Sequence, residues 1–237
     1  MSLSPDAVLF WHWKFFSLNA TILYTWVIMG LLLVLSWLAT RKLTADTKMT
    51  RWQNFLEALV TYMRDQIREI SRQDPGLYLP FVGSLFLFIA VSNLLIIVPG
   101  YEPPTGSLST TTALALCVLL SVPIFGIAQK GLLGYLKHYI KPSVIMLPFH
   151  IIGEISRTLS LAVRLYGNIM SGSVILAILL GIAPIFFPII MEALGLLTGL
   201  IQAYIFAILA VVYIASATAS QEEEQKKQQS NQESLIK

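Results

Sequence analysis

Five long apolar runs, separated by more polar stretches, set the plan of the chain. They cover residues 18–39, 77–98, 110–128, 148–182 and 189–216. As a helix rising ~1.5 Å per residue, each spans a hydrocarbon core of about 30 Å. The last two runs are longer than a perpendicular crossing needs, which predicts long, strongly tilted helices. Pro142 and Pro148 punctuate the start of the fourth run, and Pro184 and Pro188 mark the turn before the fifth. Residues 51–73 differ in kind. Trp52, Phe55, Leu56, Leu59, Met63, Ile67 and Ile70 share one helical face, and charged residues cover the rest. Thr50 with Gln53 offers a capping box, and Asp74-Pro75-Gly76 ends the pattern. Such a helix lies along a membrane surface or against a partner.

The polar stretches orient the spans. Arg41, Lys42, Lys48 and Arg51 follow the first run, and Lys130, Lys137, His138 and Lys141 follow the third. The turn at 99–106 has no basic residue. Basic loops stay in the cytoplasm, so the N-terminus is expected outside and the C-terminus inside, with the amphipathic helix on the cytoplasmic surface. Trp11, His12, Trp13, Phe15 and Phe16 read as an interfacial aromatic belt before the first span. Residues 217–237, with Glu222–Glu224 among glutamines and lysines, read as a solvated or disordered tail.

Composition agrees with this plan. Of 237 residues, 56% are hydrophobic and only 12% charged, about half the charged share of a soluble domain. The chain therefore reads as an all-α integral membrane protein. It forms a single membrane domain over 1–237, with five transmembrane helices and one surface helix. A net charge of +3 reflects topology-setting loops and gives no nucleic-acid surface. Cys117 is the only cysteine, so an internal disulfide is impossible, and no metal cluster or cofactor is called for. The acidic Asp6 and the lack of a basic leading segment argue against a cleaved signal peptide, which favours a bacterial plasma membrane.

Chemistry concentrates in the last two runs. Ser160, Arg164, Asn168 and Ser171 follow steps of four, four and three, and share one helical face. Arg157 extends that stripe by two turns. An arginine at mid-membrane costs about 2.5–3.5 kcal/mol on insertion scales. It cannot escape by losing its proton. Arg157 lies near the basic end and can snorkel, whereas apolar sequence continues on both sides of Arg164. A fixed charge at Arg164 is therefore the leading functional feature. Gly167 and Gly172 leave room beside it, and Leu159, Val163, Leu165, Ile169, Val174 and Ile175 form the apolar side.

The last run carries a matching stripe. Glu192, Gly195, Gly199, Gln202 and Phe206 alternate three- and four-residue steps, with Thr198 close by and Tyr213 farther along. Paired with the arginine helix, this stripe outlines an ion pathway between two tilted helices. Gln202 and Thr198 also suit ordinary interhelical hydrogen bonding. Glu154 and His150 sit at the cytoplasmic end of the arginine helix. There Glu154 is a candidate lining residue, and His150 reads as interfacial.

The run Leu159-Ser160-Leu161-Ala162-Val163-Arg164-Leu165-Tyr166-Gly167-Asn168, with Gly172, resembles the signature of subunit a of rotary F-type ATP synthases. The run Gly199-Leu200-Ile201-Gln202-Ala203-Tyr204-Ile205-Phe206, ending Val212-Tyr213, resembles the last helix of that family. The likeness extends over nearly the whole chain. It implies a non-catalytic stator in the lipid bilayer, facing a ring of c subunits and held by the peripheral-stalk b subunits. Two aqueous half-channels would carry H+ or Na+ to and from ring carboxylates. The arginine matching Arg164 would stand between them, attracting emptied carboxylates and blocking leakage. ATP chemistry would occur elsewhere, and no phosphate-binding loop is present in this sequence.

Two positions depart from that pattern. Many members of the family carry a carboxylate or histidine where this chain has Ser173, paired with a histidine or carboxylate where it has Gly195. Glu192, one turn away, is the nearest carboxylate on the last helix. Loss of the exchangeable pair makes a sodium pathway through polar oxygens a second expectation. The alternative from another class is a stand-alone secondary transporter that binds an anionic substrate at Arg164. Transporters commonly show inverted repeats and broken helices, and the sequence shows neither near Arg164.

Overall fold

Backbone in a bilayer must satisfy its own hydrogen bonds, which favours helices for every spanning run. The computed structural model describes residues 9–13, 16–41, 51–72, 74–98, 100–140, 146–182 and 186–218. Within them lie six helices: α1 (Ala20–Thr40), α2 (Arg51–Ser71), α3 (Leu79–Leu94), α4 (Leu108–Ile140), α5 (Met146–Ile182) and α6 (Phe186–Thr218). Five contain stretches long and apolar enough to cross a membrane: Ala20–Leu38, Leu79–Ile97, Leu108–Gln129, Pro148–Ile182 and Phe187–Thr218. At ~1.5 Å per residue the 37 residues of α5 extend about 55 Å. Lys42, Lys48, Thr50, Lys141, Pro142, Pro184 and residues 219–237 lie outside the described residues, as do the side chains of the N-terminal aromatics.

Three local features go beyond the sequence reading. A short antiparallel ribbon, β1 (Leu9–Trp13) with β2 (Phe16–Asn19), precedes α1 where only an aromatic belt was expected. The third span continues as helix past its apolar stretch. Its single break is Gly131, at φ 71 and ψ 160, a conformation open to glycine because it lacks Cβ. Helix α2 stops at Ser71, just short of the expected 73, and Arg72 takes a left-handed φ of 54 while its N–H bonds Arg68 O at 2.9 Å. That is the usual stereochemistry of a helix C-terminus, with arginine in place of glycine.

Helix α6 is the centre of the bundle, touching α2, α3, α4 and α5. It serves two apolar clusters. Ala203, Phe206 and Ala210 pack with Leu85 and Ile89 of α3, Ala115 and Val118 of α4, and Leu161 and Leu165 of α5. One face on, Ala207, Val211 and Ile214 pack with Ile67 of α2, Val82 of α3 and Val122 of α4. Alanines at these contacts let helices approach where lipid supplies no hydrophobic drive for association. By contrast α1 stands at the edge, with Trp26 and Leu33 each 70% exposed, as suits a lipid-facing helix.

The amphipathic α2 seats its apolar face on this centre. Ile67 is 3% exposed, and the Tyr204 hydroxyl of α6 donates to Gln66 Oε1 at 3.0 Å. A Tyr204→Phe change should lower the stability of the purified protein by only about 0.6 kcal/mol, the average for single hydrogen bonds between membrane helices, and by no more than about 1.7 kcal/mol. Thermal unfolding in detergent measures it. A much larger loss would mean that this bond, rather than the apolar face, holds α2.

Candidate functional site

Helix α5 buries one face and bares the other. Leu161, Ala162, Leu165 and Ile169 are packed inside, while Leu159, Ser160, Val163 and Arg164 lie exposed. The apolar residues expected together therefore divide: Leu165 and Ile169 pack within the chain, and Leu159 and Val163 flank the arginine on the open side. Arg164 projects into an open groove of about 470 Å³ between α5 and α6, lined also by Val163, Gly167, Asn168, Ser171, Thr198, Ile201 and Gln202. Among the described residues Arg164 has no hydrogen-bond or ion-pair partner. Gln202 is 6% exposed, and its Nε2 also lacks a partner. Arg164 is a donor facing the groove with nothing to donate to, and Gln202 lines the same groove with its Nε2 shielded beneath the surface, an arrangement suited to an incoming oxygen acceptor.

A second cavity, of about 440 Å³, adjoins it. Asn168, Ser171 and Thr198 line both. Its other polar and small walls are Ser173 and Gly172 of α5, Glu192 and Gly195 of α6, and Gly100, Tyr101 and Glu102 of the turn between α3 and α4, and apolar residues such as Ile175, Leu176 and Met191 complete it. The hydroxyls here donate back into their own helices: Ser171 to Asn168 O at 3.1 Å, Ser173 to Ile169 O at 3.0 Å, and Thr198 to Leu194 O at 2.9 Å. With donors so used, their oxygens are left as acceptors. These oxygens, with the Glu192 carboxylate, form a polar strip suited to water and cations along an otherwise largely apolar cavity.

The remaining sequence candidates lie elsewhere. Glu154 and Tyr213 meet at the opposite end of α5, around a void of only about 10 Å³ with Arg157 and Thr158. There the Arg157 guanidinium sits 5.6 Å from the centre of the Tyr213 ring. Ser160 is exposed one turn before Arg164 and lines neither cavity. The glycines also divide. A Cβ at Gly167, Gly172 or Gly195 would meet open space, whereas one at Gly199 would fall 2.9 Å from Asn93 Cβ.

Asn93 and Glu102 went unassigned in the sequence stripes. Asn93 is fully buried; its Nδ2 donates to Gly199 O at 2.9 Å, and its Oδ1 accepts from Thr105 Oγ1 at 2.9 Å. It thereby joins α3, α6 and the turn at Pro104–Gly106. The signal was an amide near the end of an apolar run, which must find partners inside the protein. Next along the turn, Tyr101 donates to Ser92 O at 3.1 Å, and burial lifts its hydroxyl to a pKa of about 12. It stays a neutral donor at physiological pH. The Tyr24 hydroxyl donates to Gly100 O at 3.0 Å, fixing the same turn to α1. Among the described residues no group of three His, Cys, Asp or Glu could hold a metal ion.

Comparison with known proteins accounts for this architecture. The family model described as ATP synthase A chain matches residues 22–215. A protein of Acaryochloris marina named ATP synthase subunit a 2 is 61% identical over 217 residues, covering 92% of this chain and 93% of that one. ATP synthase subunit a of Albidiferax ferrireducens is 61% identical over 217 residues, covering 92% and 94%. ATP synthase subunit a 1 of Chlorobaculum parvum is 59% identical, covering 92% and 96%. The matched segment runs from the first span almost to the end of α6 and takes in the arginine groove, both cavities and the Asn93 junction. This integral membrane protein, with its five spans, belongs to the ATP synthase subunit a family.

Proposed function

We propose that the chain is the non-catalytic, ion-translocating stator subunit of a rotary ATP synthase, with Arg164 as the fixed charge between two half-channels. The observation that carries this reading is Arg164, without a partner among the described residues, in a groove open to the outside of the protein. An enclosed pocket would suit a transported solute. An open one, flanked by exposed Leu159 and Val163, suits a partner whose own surface completes it. That partner is a c-subunit ring, each subunit bringing one mid-membrane carboxylate, with the peripheral-stalk b subunits holding the stator in place.

In this reading the cavity at Glu192 is the outer half-channel. It reaches the groove through Asn168, Ser171 and Thr198. The Glu154, Arg157 and Tyr213 contact lies at the mouth of the cytoplasmic half-channel. An H+ or Na+ enters on one side, neutralises a ring carboxylate and leaves on the other after the ring has turned. Arg164 attracts the emptied carboxylate and repels the bound cation. Gln202 donates beside it. The field that drives this flow is about 2.3 kcal/mol per charge for each 100 mV. The long α5 and α6 cross tilted, so that both follow the curved face of the ring. The N-terminus lies outside a bacterial plasma membrane and the C-terminus in the cytoplasm. The acceptor-lined outer cavity also suits Na+.

The test is ATP-driven uptake by the complex in liposomes, sodium against protons, in wild type and Arg164→Lys. Lysine keeps a charge but loses the planar fork of donors and can surrender its proton. Uptake should fall at least about tenfold, since one lost charge-assisted bond is worth about 1.5–3 kcal/mol. Near-wild-type pumping by the lysine variant would sink the mechanism.

A further inference from the structure

We infer that Glu102 is the ion-exchanging carboxylate of the outer cavity, the group through which an arriving cation passes on its way to the Arg164 groove. The inference rests on the stator reading and names a residue that this reading does not require.

Three observations meet at Glu102. The residue lines the cavity of about 440 Å³, together with Glu192 and Ser173. It is partly buried, and its Oε2 is closed off from solvent without a hydrogen-bond partner among the described residues. Its backbone is fixed: Gly100 O accepts from Tyr24, Tyr101 bonds α3, Pro103 follows, and Thr105 bonds Asn93. A flexible turn could swing a charged side chain into water. This one keeps the carboxylate at the wall of a cavity roomy enough for water and cations, with one oxygen shielded and free to accept a donor or a cation.

The rest of the cavity supplies no better group. Its titratable members among the described residues are Tyr101, Glu102 and Glu192. Tyr101 donates its proton to a backbone carbonyl of α3 and is held neutral by burial. Glu192 is exposed at the start of α6, already within reach of solvent. From α5 come Asn168, Ser171 and Ser173, and from α6 Gly195 and Thr198, none of which changes charge. Glu102 is thus the cavity's sheltered carboxylate. The step is simple to balance. Carboxylate and cation combine, or an O–H bond forms. The same cation or proton is then released toward the ring carboxylate, with nothing oxidised.

The experiment is gradient-driven ATP synthesis by the whole complex in liposomes, with the coupling ion varied on the side that the 98–103 turn faces. Glu102→Gln keeps size and shape, and should lower the rate at least tenfold with the c-ring still copurifying. Gly195→Glu placed in that background returns a carboxylate to the same cavity, at a position where a Cβ meets open space. It should recover a substantial part of the rate. Glu102→Asp should assemble normally and shift the ion concentration giving half-maximal rate. A Glu102→Gln rate within threefold of wild type overturns the inference. So does an unshifted half-maximum in Glu102→Asp, or a double variant no faster than Glu102→Gln alone, since a purely structural carboxylate would not be replaced from α6. If Arg164→Ala also synthesised ATP normally, the stator reading itself would fail, and that result is independent of Glu102.

Discussion

Replacing Arg164 by alanine is expected to end coupled ion transport while leaving the complex assembled. The two halves of that expectation have separate grounds. Arg164 is exposed in its groove and makes no hydrogen bond or ion pair among the described residues, so its removal breaks no contact within the chain. Insertion should even ease, because an arginine at the helix centre costs about 2.5–3.5 kcal/mol. Transport should suffer heavily. A guanidinium about 4 Å from a ring carboxylate, at an effective dielectric of about 20, attracts it by about 4 kcal/mol. At about 1.4 kcal/mol per decade, that corresponds to roughly a thousandfold in rate. ATP-driven uptake and thermal unfolding, measured on the same preparation, separate the two effects. Arg164→Ala with unchanged stability and uptake within tenfold of wild type would remove the fixed charge from the mechanism. Unchanged uptake is also the result a purely structural arginine would give.

The second large effect is expected at Gly199. A Cβ there would sit 2.9 Å from Asn93 Cβ, an atom tied closely to the α3 backbone and unable to swing away. Gly199→Ala must therefore push α3 and α6 apart. Overpacking of this kind costs typically about 1–3 kcal/mol. It also stretches the bond from Asn93 Nδ2 to Gly199 O, now 2.9 Å. The damage should travel, because Asn93 Oδ1 holds Thr105 and so the turn that walls the cavity of about 440 Å³. Gly199→Ala should lower the unfolding temperature and slow coupled uptake together. Gly199→Leu should not yield an assembled complex. As a control, Gly195→Ala, where a Cβ meets nothing within 4 Å, should do neither. Equal tolerance at both positions would show that α3 and α6 adjust more freely than this contact implies.

How much of this was legible in the sequence follows from the range of each cause. The spans were readable because an apolar run of sufficient length has one solution in a bilayer. The grouping of Arg164, Asn168 and Ser171 was readable because helical spacing is local arithmetic, and the structure does bring them into one groove with Thr198 and Gln202. What failed to show was set by distant partners. Asn93 and Gly199 lie 106 residues apart, and no periodicity links them. Glu102 sits among prolines in a turn, where a glutamate ordinarily faces water. The division of glycines into open and packed had the same origin, since spacing alone treats Gly195 and Gly199 alike. The extension of α4 beyond its span was hidden by Gly131 and the basic residues around it, which read as loop.

The place of α6 has a consequence for how the protein is made. Both apolar clusters draw on it, and it touches four of the five helices before it. Yet it leaves the ribosome after all of them. Until α6 enters the membrane, the faces of α3, α4 and α5 that will rest on it are open to lipid, and Asn93 has no carbonyl of Gly199 to bond. The earlier spans can be inserted in turn and α4 can pair with α5, but the sides that face α6 stay uncovered. The joining of α2, α3, α4 and α5 through one shared centre thus waits for α6. A quality-control protease that surveys the bilayer has that whole interval in which to find the chain unfinished.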